Sequence, residues 1–140
     1  MSIVFEHLNP DWNAEPNVPD ESISIDEEGK LVLEFFVNPW AYKRYVEGDR
    51  IKFIFDKPEK YRLGETNDDG WYSGQCRFGK LAPEWGEFYQ IVGVNENIKP
   101  AKGWVVLPKN SASNHYLFYL RDNTFECIAN SYEKLFVVVK

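Results

Sequence analysis

Short runs in which large apolar residues alternate with polar ones recur along this sequence, and they restrict it to a sheet fold. Residues 30–38 read KLVLEFFVN and residues 49–56 read DRIKFIFD, so every second side chain points to the same face of an extended strand. The apolar faces predicted for these two strands are Leu31, Leu33, Phe35 and Val37, and Ile51, Phe53 and Phe55. Aromatic residues make up 16% of the chain, which suits the half-buried surface of such strands.

Further runs with strand character are separated by turn-forming residues. They cover residues 59–64, 71–79, 87–93, 103–108, 115–121, 124–130 and 133–139. Because no regular helices intervene between them, neighbouring strands are expected to pair antiparallel. We therefore predict one mainly-β domain over residues 1–140, an antiparallel sandwich or small barrel of roughly eight strands with one short helix.

Two segments depart from the strand pattern. Asn38 can cap a helix, Pro39 suits the first helical position, and Gly48 suits the position after the end. The residues between them are predicted to form the short helix, which must dock on the sheets to be stable. Residues 8–21 contain three prolines and are predicted to form an irregular N-terminal arm that Trp12 anchors to the body.

The clearest hairpin has a predicted two-residue turn at Asp122 and Asn123, since both residue types tolerate a positive φ. This register places Tyr119 directly opposite Glu126. Cys127 falls on the other, apolar face of the same hairpin, away from the polar residues. The hairpin therefore does not supply a pair of cysteine and histidine for nucleophilic catalysis.

The polar face of this hairpin is a candidate ligand site. Its predicted ligand-binding residues are His115, Tyr119, Arg121 and Glu126. Inside a cavity, Arg121 and Tyr119 would orient an anionic or hydrogen-bonding ligand. The alternative is an ion pair between Arg121 and Glu126 on a half-solvated sheet face, worth ~0.2–1 kcal/mol.

A second candidate surface mixes aromatic, basic and amide side chains. Its predicted interface residues are Tyr61, Arg62, Trp71, Tyr72, Gln75 and Arg77. This composition is found both in modules that stack on single-stranded nucleic acid and in protein-interface hot spots. The net charge of −6 and the lack of a basic stripe disfavour nucleic acid, so we favour a protein partner.

The negative charge is concentrated in the N-terminal part of the chain. Residues 1–36 contain nine acidic residues and only one lysine, whereas residues 43–62 are net basic. An acidic end of the molecule would attract a basic partner and speed its association. The alternative is that these acids form an ordinary solvated face.

The motifs of common metal, phosphate and hydrolase sites are absent from the sequence. A run at residues 65–76 resembles the start of a calcium-binding loop, but Cys76 stands where a bidentate glutamate is required. We therefore predict no metal and no cofactor. Two cysteines make no disulfide framework, and the first residues lack a secretion signal or membrane span, so a cytoplasmic location is expected.

These features favour a non-enzymatic binding module that engages a protein partner or a small polar ligand. A more specific version is an acidic inhibitor or immunity-type protein that masks a basic partner. The competing hypothesis is a small β-barrel enzyme or ligand carrier that acts on a small polar or anionic molecule through His115 and Arg121. A structural protein without a ligand is a third class, and an edge strand at residues 133–139 allows pairing into a homodimer.

Overall fold

The computed structural model describes residues 4–9, 12–15, 19–40, 44–64, 87–93, 103–107, 112, 114–120 and 123–138. These residues form ten strands and no helix. The strands are β1 (Val4–His7), β2 (Ser22–Ile25), β3 (Leu31–Phe36), β4 (Arg50–Asp56), β5 (Lys60–Gly64), β6 (Phe88–Val92), β7 (Val105–Val106), β8 (Asn114–Tyr119), β9 (Thr124–Ala129) and β10 (Ser131–Val137).

The strands form two antiparallel sheets. The six-stranded sheet has the order β1-β6-β8-β9-β5-β7, and the four-stranded sheet has the order β10-β4-β3-β2. Both sheets are open at their edges among the described strands, so the small barrel that the sequence also allowed is wrong. The chain passes between the sheets three times: from β1 to β2 through residues 8–21, from β4 to β5 through residues 57–59, and from β9 to β10 through Asn130 alone.

The two sheets pack face to face through an aromatic core. Phe53 lies 6.1 Å from Phe88 and 4.8 Å from Phe118, measured between ring centroids. Phe55 contacts Phe118 and Phe125 at 5.8 and 5.9 Å. Because β3 and β4 present every second residue to this core, their predicted apolar faces are confirmed as fully buried.

Trp12 attaches the N-terminal segment to this core, which is the role that the sequence predicted for it. Its side chain is fully buried, and its ring lies 4.8 Å from that of Phe88. Asn9 adds a polar attachment, since its Nδ2 donates to the Trp12 carbonyl (2.9 Å) and its Oδ1 accepts from the Phe88 N–H (2.9 Å). Both ends of the Asn9 amide are thus satisfied inside the protein, as a buried polar group requires.

The predicted short helix after Asn38 is not seen. The described residues of this segment form turns, although Asn38 acts like a cap because its Oδ1 accepts from the Trp40 N–H (2.9 Å). The segment ends in a turn in which Asp49 Oδ2 accepts from the Val46 N–H (3.0 Å). A segment this short is only marginally stable as a helix. It is attached to the four-stranded sheet by Tyr45, whose ring stacks on that of Phe136 in β10.

Two strands at sheet edges, β1 and β2, were not predicted. Each has only four residues, and neither has a fully buried residue, so the contrast between its faces is weak. The strand predicted at residues 71–79 lies outside the described residues. Among the described residues there is no helix with the length and apolar character needed to cross a membrane.

Candidate functional site

The hairpin formed by β8 and β9 differs in register from the prediction. Tyr119 lies opposite Thr124, and Glu126 lies opposite Leu117 rather than Tyr119. The connection spans residues 120–123, and the Leu120 N–H donates to the Asn123 carbonyl (2.9 Å). The register is therefore shifted by two residues, which changes the pairs but leaves every side chain on its predicted face.

This shift brings His115 and Glu126 together. Because His115 lies opposite Ile128, it is a diagonal neighbour of Glu126 on the same face. His115 Nε2 lies 2.7 Å from Glu126 Oε2. An ionised carboxylate only accepts hydrogen bonds, so His115 Nε2 is the donor in this contact and Glu126 Oε2 the acceptor.

The neighbouring strand β5 supplies a cation to the same carboxylate. Arg62 is directly opposite Glu126 in the ladder between β5 and β9, and its Nη1 donates to Glu126 Oε1 at 3.0 Å. Gly64 follows on the same face, and a Cβ there would lie 2.9 Å from the Arg62 guanidinium. The absence of a side chain at Gly64 thus leaves the space that the guanidinium occupies.

Burial gives this cluster its chemical character. The side chain of Glu126 is only 1% exposed, whereas those of Arg62 and His115 are 18% and 20% exposed. A buried carboxylate is stable only when its oxygens are paired, and here one oxygen is bonded to each partner. Glu126 therefore holds the His115 imidazole in one orientation at the surface.

His115 opens onto a cleft, which we call the His115 cleft. Its volume is about 380 Å³, and it is lined by Gln90, Ile91, Val92, Gly93, Asn114, His115 and Ile128. Asn114 and Gln90 add amide groups, joined by a hydrogen bond of 3.4 Å. The cleft thus combines one imidazole, two amides and aliphatic walls, a set that suits a small polar ligand.

The other predicted ligand residues have different outcomes. Tyr119 lies on the same face of the sheet but is buried and does not line the His115 cleft; its ring packs 6.0 Å from that of Tyr89. Arg121 lies outside the described residues. The ion pair predicted for Arg121 is therefore untested, and Arg62 is the arginine that the structure brings to Glu126.

The predicted aromatic and basic surface is described only in part. Tyr61 is half-buried and packs against the core between the sheets, while Arg62 points to the opposite face. Trp71, Tyr72, Gln75 and Arg77 lie outside the described residues. This surface remains a prediction.

A second cleft, which sequence reasoning missed, lies beside the four-stranded sheet. This Trp40 pocket has a volume of about 400 Å³ and is lined by Glu15, Phe36, Val37, Pro39, Trp40, Glu47 and Gly48. Trp40 is 62% exposed, which is unusual for so large an apolar side chain. The available signal was a tryptophan, Trp40, and an acid seven residues later, Glu47, in a segment bounded by proline and glycine, but the helix predicted there obscured it.

The Trp40 pocket has an acidic rim assembled from distant parts of the chain. Glu15 is held there because its N–H donates to the Phe36 carbonyl (2.9 Å), and Glu47 comes from the turn before β4. Nearby, Arg50 lies over the Phe36 ring (4.3 Å) and pairs with Glu34 at 2.7 Å. Arg50 is thus already engaged with the Glu34 carboxylate, which lies outside the pocket lining, and with the ring of Phe36, which is part of that lining.

Neither cleft contains a nucleophile or a metal-binding cluster within the part of the chain that is described. No group of three or more histidine, cysteine and acidic residues able to hold a metal occurs there. Cys127 is fully buried on the core face, and burial together with the Glu126 charge raises the pKa of its thiol well above the usual value. The predicted separation of His115 from Cys127 on opposite faces is therefore confirmed.

No protein-family model, curated protein or solved structure matches this chain. The function must therefore be argued from the two clefts and the charges around them.

Proposed function

We propose that this protein is a non-enzymatic binding module that captures a basic side chain of a protein partner in the Trp40 pocket. The observation that carries the proposal is the exposed Trp40 ring beside the carboxylates of Glu15 and Glu47 in one cleft. An aromatic face attracts a cation through its quadrupole, and carboxylates accept the hydrogen bonds that a guanidinium donates. An arginine or lysine of the partner meets both requirements at once.

The distribution of charge supports the same partner. The protein carries a net charge of −6, and Asp26, Glu27 and Glu28 are exposed at the tip of the hairpin between β2 and β3. A field of this sign accelerates the approach of a basic protein and fades with ionic strength. The specific form of the proposal is an acidic inhibitor or immunity-type protein in the cytoplasm, where the free thiol of Cys127 stays reduced.

The test uses a short arginine-rich peptide as the probe, titrated by calorimetry at low and high salt. Trp40→Ala and Glu47→Gln are each expected to weaken binding several-fold, and higher salt is expected to weaken binding to the unaltered protein. Glu6→Gln, which removes one exposed acid from β1 in the other sheet, is the matched control. Equal affinity for all four proteins would overturn the proposal.

A second candidate function is the binding of a small polar or anionic molecule in the His115 cleft, as a carrier or an enzyme. The fixed His115 imidazole, held by Glu126, favours it, because a single oriented donor or acceptor gives a ligand a defined pose. Phosphate and citrate are suitable first probes, followed through the His115 ring signals in NMR spectra. This candidate is rejected if neither probe shifts those signals, or if His115→Asn leaves the binding isotherm unchanged.

A further inference from the structure

β10 is the longest of the four strands that end the two sheets. It has seven residues, whereas β1 and β2 have four each and β7 has two. Within the described residues β10 pairs with β4 alone, so alternate N–H and C=O groups face away from the sheet along its other side. A long edge of this kind is a template for the addition of another strand.

The side chains of this edge are also unusual. Four consecutive apolar residues, Leu135, Phe136, Val137 and Val138, are 42%, 40%, 44% and 62% exposed, and no other described stretch exposes four in a row. The strand contains no proline, and its pairing with β4 is continuous without a bulge. The devices that usually protect an edge are therefore largely missing from β10.

The opposite edge of the same sheet is protected by charge. β2 is flanked by acidic residues on both sides, Asp20 and Glu21 before it and Asp26 and Glu27 after it. Two copies of β2 would bring these like charges together, which is unfavourable. Self-association through this sheet is therefore possible at β10 and opposed at β2.

The charge on β10 indicates what covers it. Glu133 and Lys134 are its only charged residues, so the strand is neutral although the chain carries −6. A neutral, apolar strand offers no selectivity for a basic or an acidic partner. A second copy, by contrast, supplies an edge of identical length, polarity and apolar content.

We propose that β10 pairs antiparallel with β10 of a second copy of this chain, about a twofold axis at Leu135. The two four-stranded sheets then become one eight-stranded sheet across the dimer. In this register Lys134 faces Phe136 of the other copy, and Tyr132 faces Val138. Because paired positions are separated by an even number of residues, the core faces of both copies lie on the same side.

Lys134 is the one feature of β10 that could oppose this pairing, since an inward-pointing charge at an edge discourages strand addition. Its ammonium lies 5.3 Å from the Phe136 ring centroid and 5.4 Å from that of Trp12 within one copy. The charge is thus already held against aromatic faces. Opposite Phe136 of the second copy it meets another aromatic ring, which in its own copy stacks on Tyr45 and lies 5.7 Å from the Arg44 guanidinium.

The first test is the molar mass of the full chain in solution, by light scattering and sedimentation. We expect twice the chain mass of 16.4 kDa, with tighter association at high salt because screening reduces the repulsion between two negative copies. The opposite salt dependence is expected for a basic ligand in the Trp40 pocket, so the two proposals fail independently. A monomer at every concentration and salt overturns the inference.

A matched pair of variants tests the surface. Leu135→Glu places a charge on the proposed axis and is expected to weaken the dimer at least tenfold, while Val4→Glu, at a 51% exposed site on β1, adds the same charge and leaves it intact. Both positions are exposed, so both variants should fold, and circular dichroism checks that they do. A folded Leu135→Glu protein that still dimerises like the unaltered protein contradicts the proposed edge.

Disulfide cross-linking tests the register. In a Cys76→Ser background, Leu135→Cys brings two thiols face to face across the axis, at the ~5.5 Å Cα separation that suits a disulfide. Ser131→Cys lies at the far end of the strand and is expected to cross-link much more slowly. Faster cross-linking through Ser131→Cys overturns the register centred on Leu135.

Discussion

The surroundings of Glu126 on β9 are assembled from two neighbouring strands of the same sheet. Its carboxylate is 1% exposed and is bonded to side chains from two other strands, Arg62 of β5 and His115 of β8. An ion pair of this kind gives modest net stability when complete, because both charges lost their hydration on folding. Removal of one partner is costly, because the other charge then stays in a partly desolvated position.

Glu126→Gln is therefore expected to lower the free energy of unfolding by about 3 kcal/mol, since Arg62 loses its counter-charge. Urea unfolding followed by tryptophan fluorescence measures the change. Glu6→Gln, at an exposed position on β1, removes the same charge and should alter stability by less than ~0.5 kcal/mol. Similar losses for both variants would mean that the buried pair is not what stabilises this face.

Cys127 gives a second prediction at the scale of one residue. Its side chain is fully buried, and desolvation raises the pKa of its thiol, so the reactive thiolate is not formed near neutral pH. In a Cys76→Ser background, we expect iodoacetamide to label the native protein at least a hundredfold more slowly than the urea-unfolded protein. Rapid labelling of the native protein would contradict the buried position of this thiol.

At the scale of the element, a strand could be predicted from the sequence where its two faces differ clearly in burial. β3 and β4 alternate between fully buried and half-buried residues, and their sequences predicted both strands and both core faces. β1 and β2 are short and partly exposed throughout, so alternation gave no signal. The predicted pairing of β8 with β9 was wrong by two residues, because a shift by an even number of residues leaves every side chain on the same face of the sheet.

The turn between β2 and β3 offers a prediction for one element. Gly29 has a φ of +81°, and a Cβ at this position would have nothing within 4 Å. Gly29→Ala therefore meets no steric clash, and we expect it to destabilise the protein by about 1 kcal/mol from backbone conformation alone. Gly29→Asn should cost clearly less, because asparagine tolerates this conformation better than alanine.

Thermal unfolding of the two Gly29 variants measures this difference. An alanine variant as stable as the unaltered protein, or an asparagine variant less stable than the alanine variant, would contradict a cost that arises from the positive φ. The hydrogen bonds of Asp26 Oδ1, which accepts from the N–H groups of Glu28 (2.9 Å) and Lys30 (2.8 Å), keep the turn in place in both variants.

At the scale of the whole molecule, one of the contacts between the two sheets is a pair of tyrosines. Tyr116 of β8 and Tyr132 of β10 pack edge to face at 5.4 Å. Burial, with smaller contributions from Cys127 and Tyr132, raises the pKa of Tyr116 to about 12, and burial also raises the pKa of Tyr132. The folded protein thus keeps both hydroxyls protonated at a pH where the unfolded chain has begun to ionise.

We therefore expect the free energy of unfolding to be unaffected by these two groups below pH 10 and to fall as the pH rises from 10 to about 12. The sign follows because ionisation is easier in the unfolded chain, whose tyrosines titrate near 10. Tyr116→Phe should reduce this loss by about 1–2 kcal/mol in urea titrations at alkaline pH. An identical pH dependence in the variant and the unaltered protein would contradict the raised pKa.

The arrangement of the candidate sites could not be predicted from the sequence, because it depends on strand order. Arg62 reaches Glu126 only because β5 lies beside β9, and no local pattern records which strands are neighbours. The faces of His115 and Glu126 were predicted correctly, since they depend only on alternation. The Trp40 pocket was missed because it joins Glu15 of the N-terminal segment to Glu47, across a stretch assigned to a helix.

The passage from β9 to β10 through Asn130 has a consequence for how this protein is made. In the six-stranded sheet β9 lies between β8 and β5, and its continuation β10 is the outermost strand of the other sheet. A nascent chain that emerges from the ribosome only as far as residue 123 can pair β3 with β4, but β5 and β8 then have no strand between them. Emergence of the next fourteen residues, Thr124–Val137, supplies the missing strand of one sheet and the edge strand of the other almost together. Each sheet therefore lacks one of its described strands until this one segment is available, so the two sheets are completed together rather than one after the other.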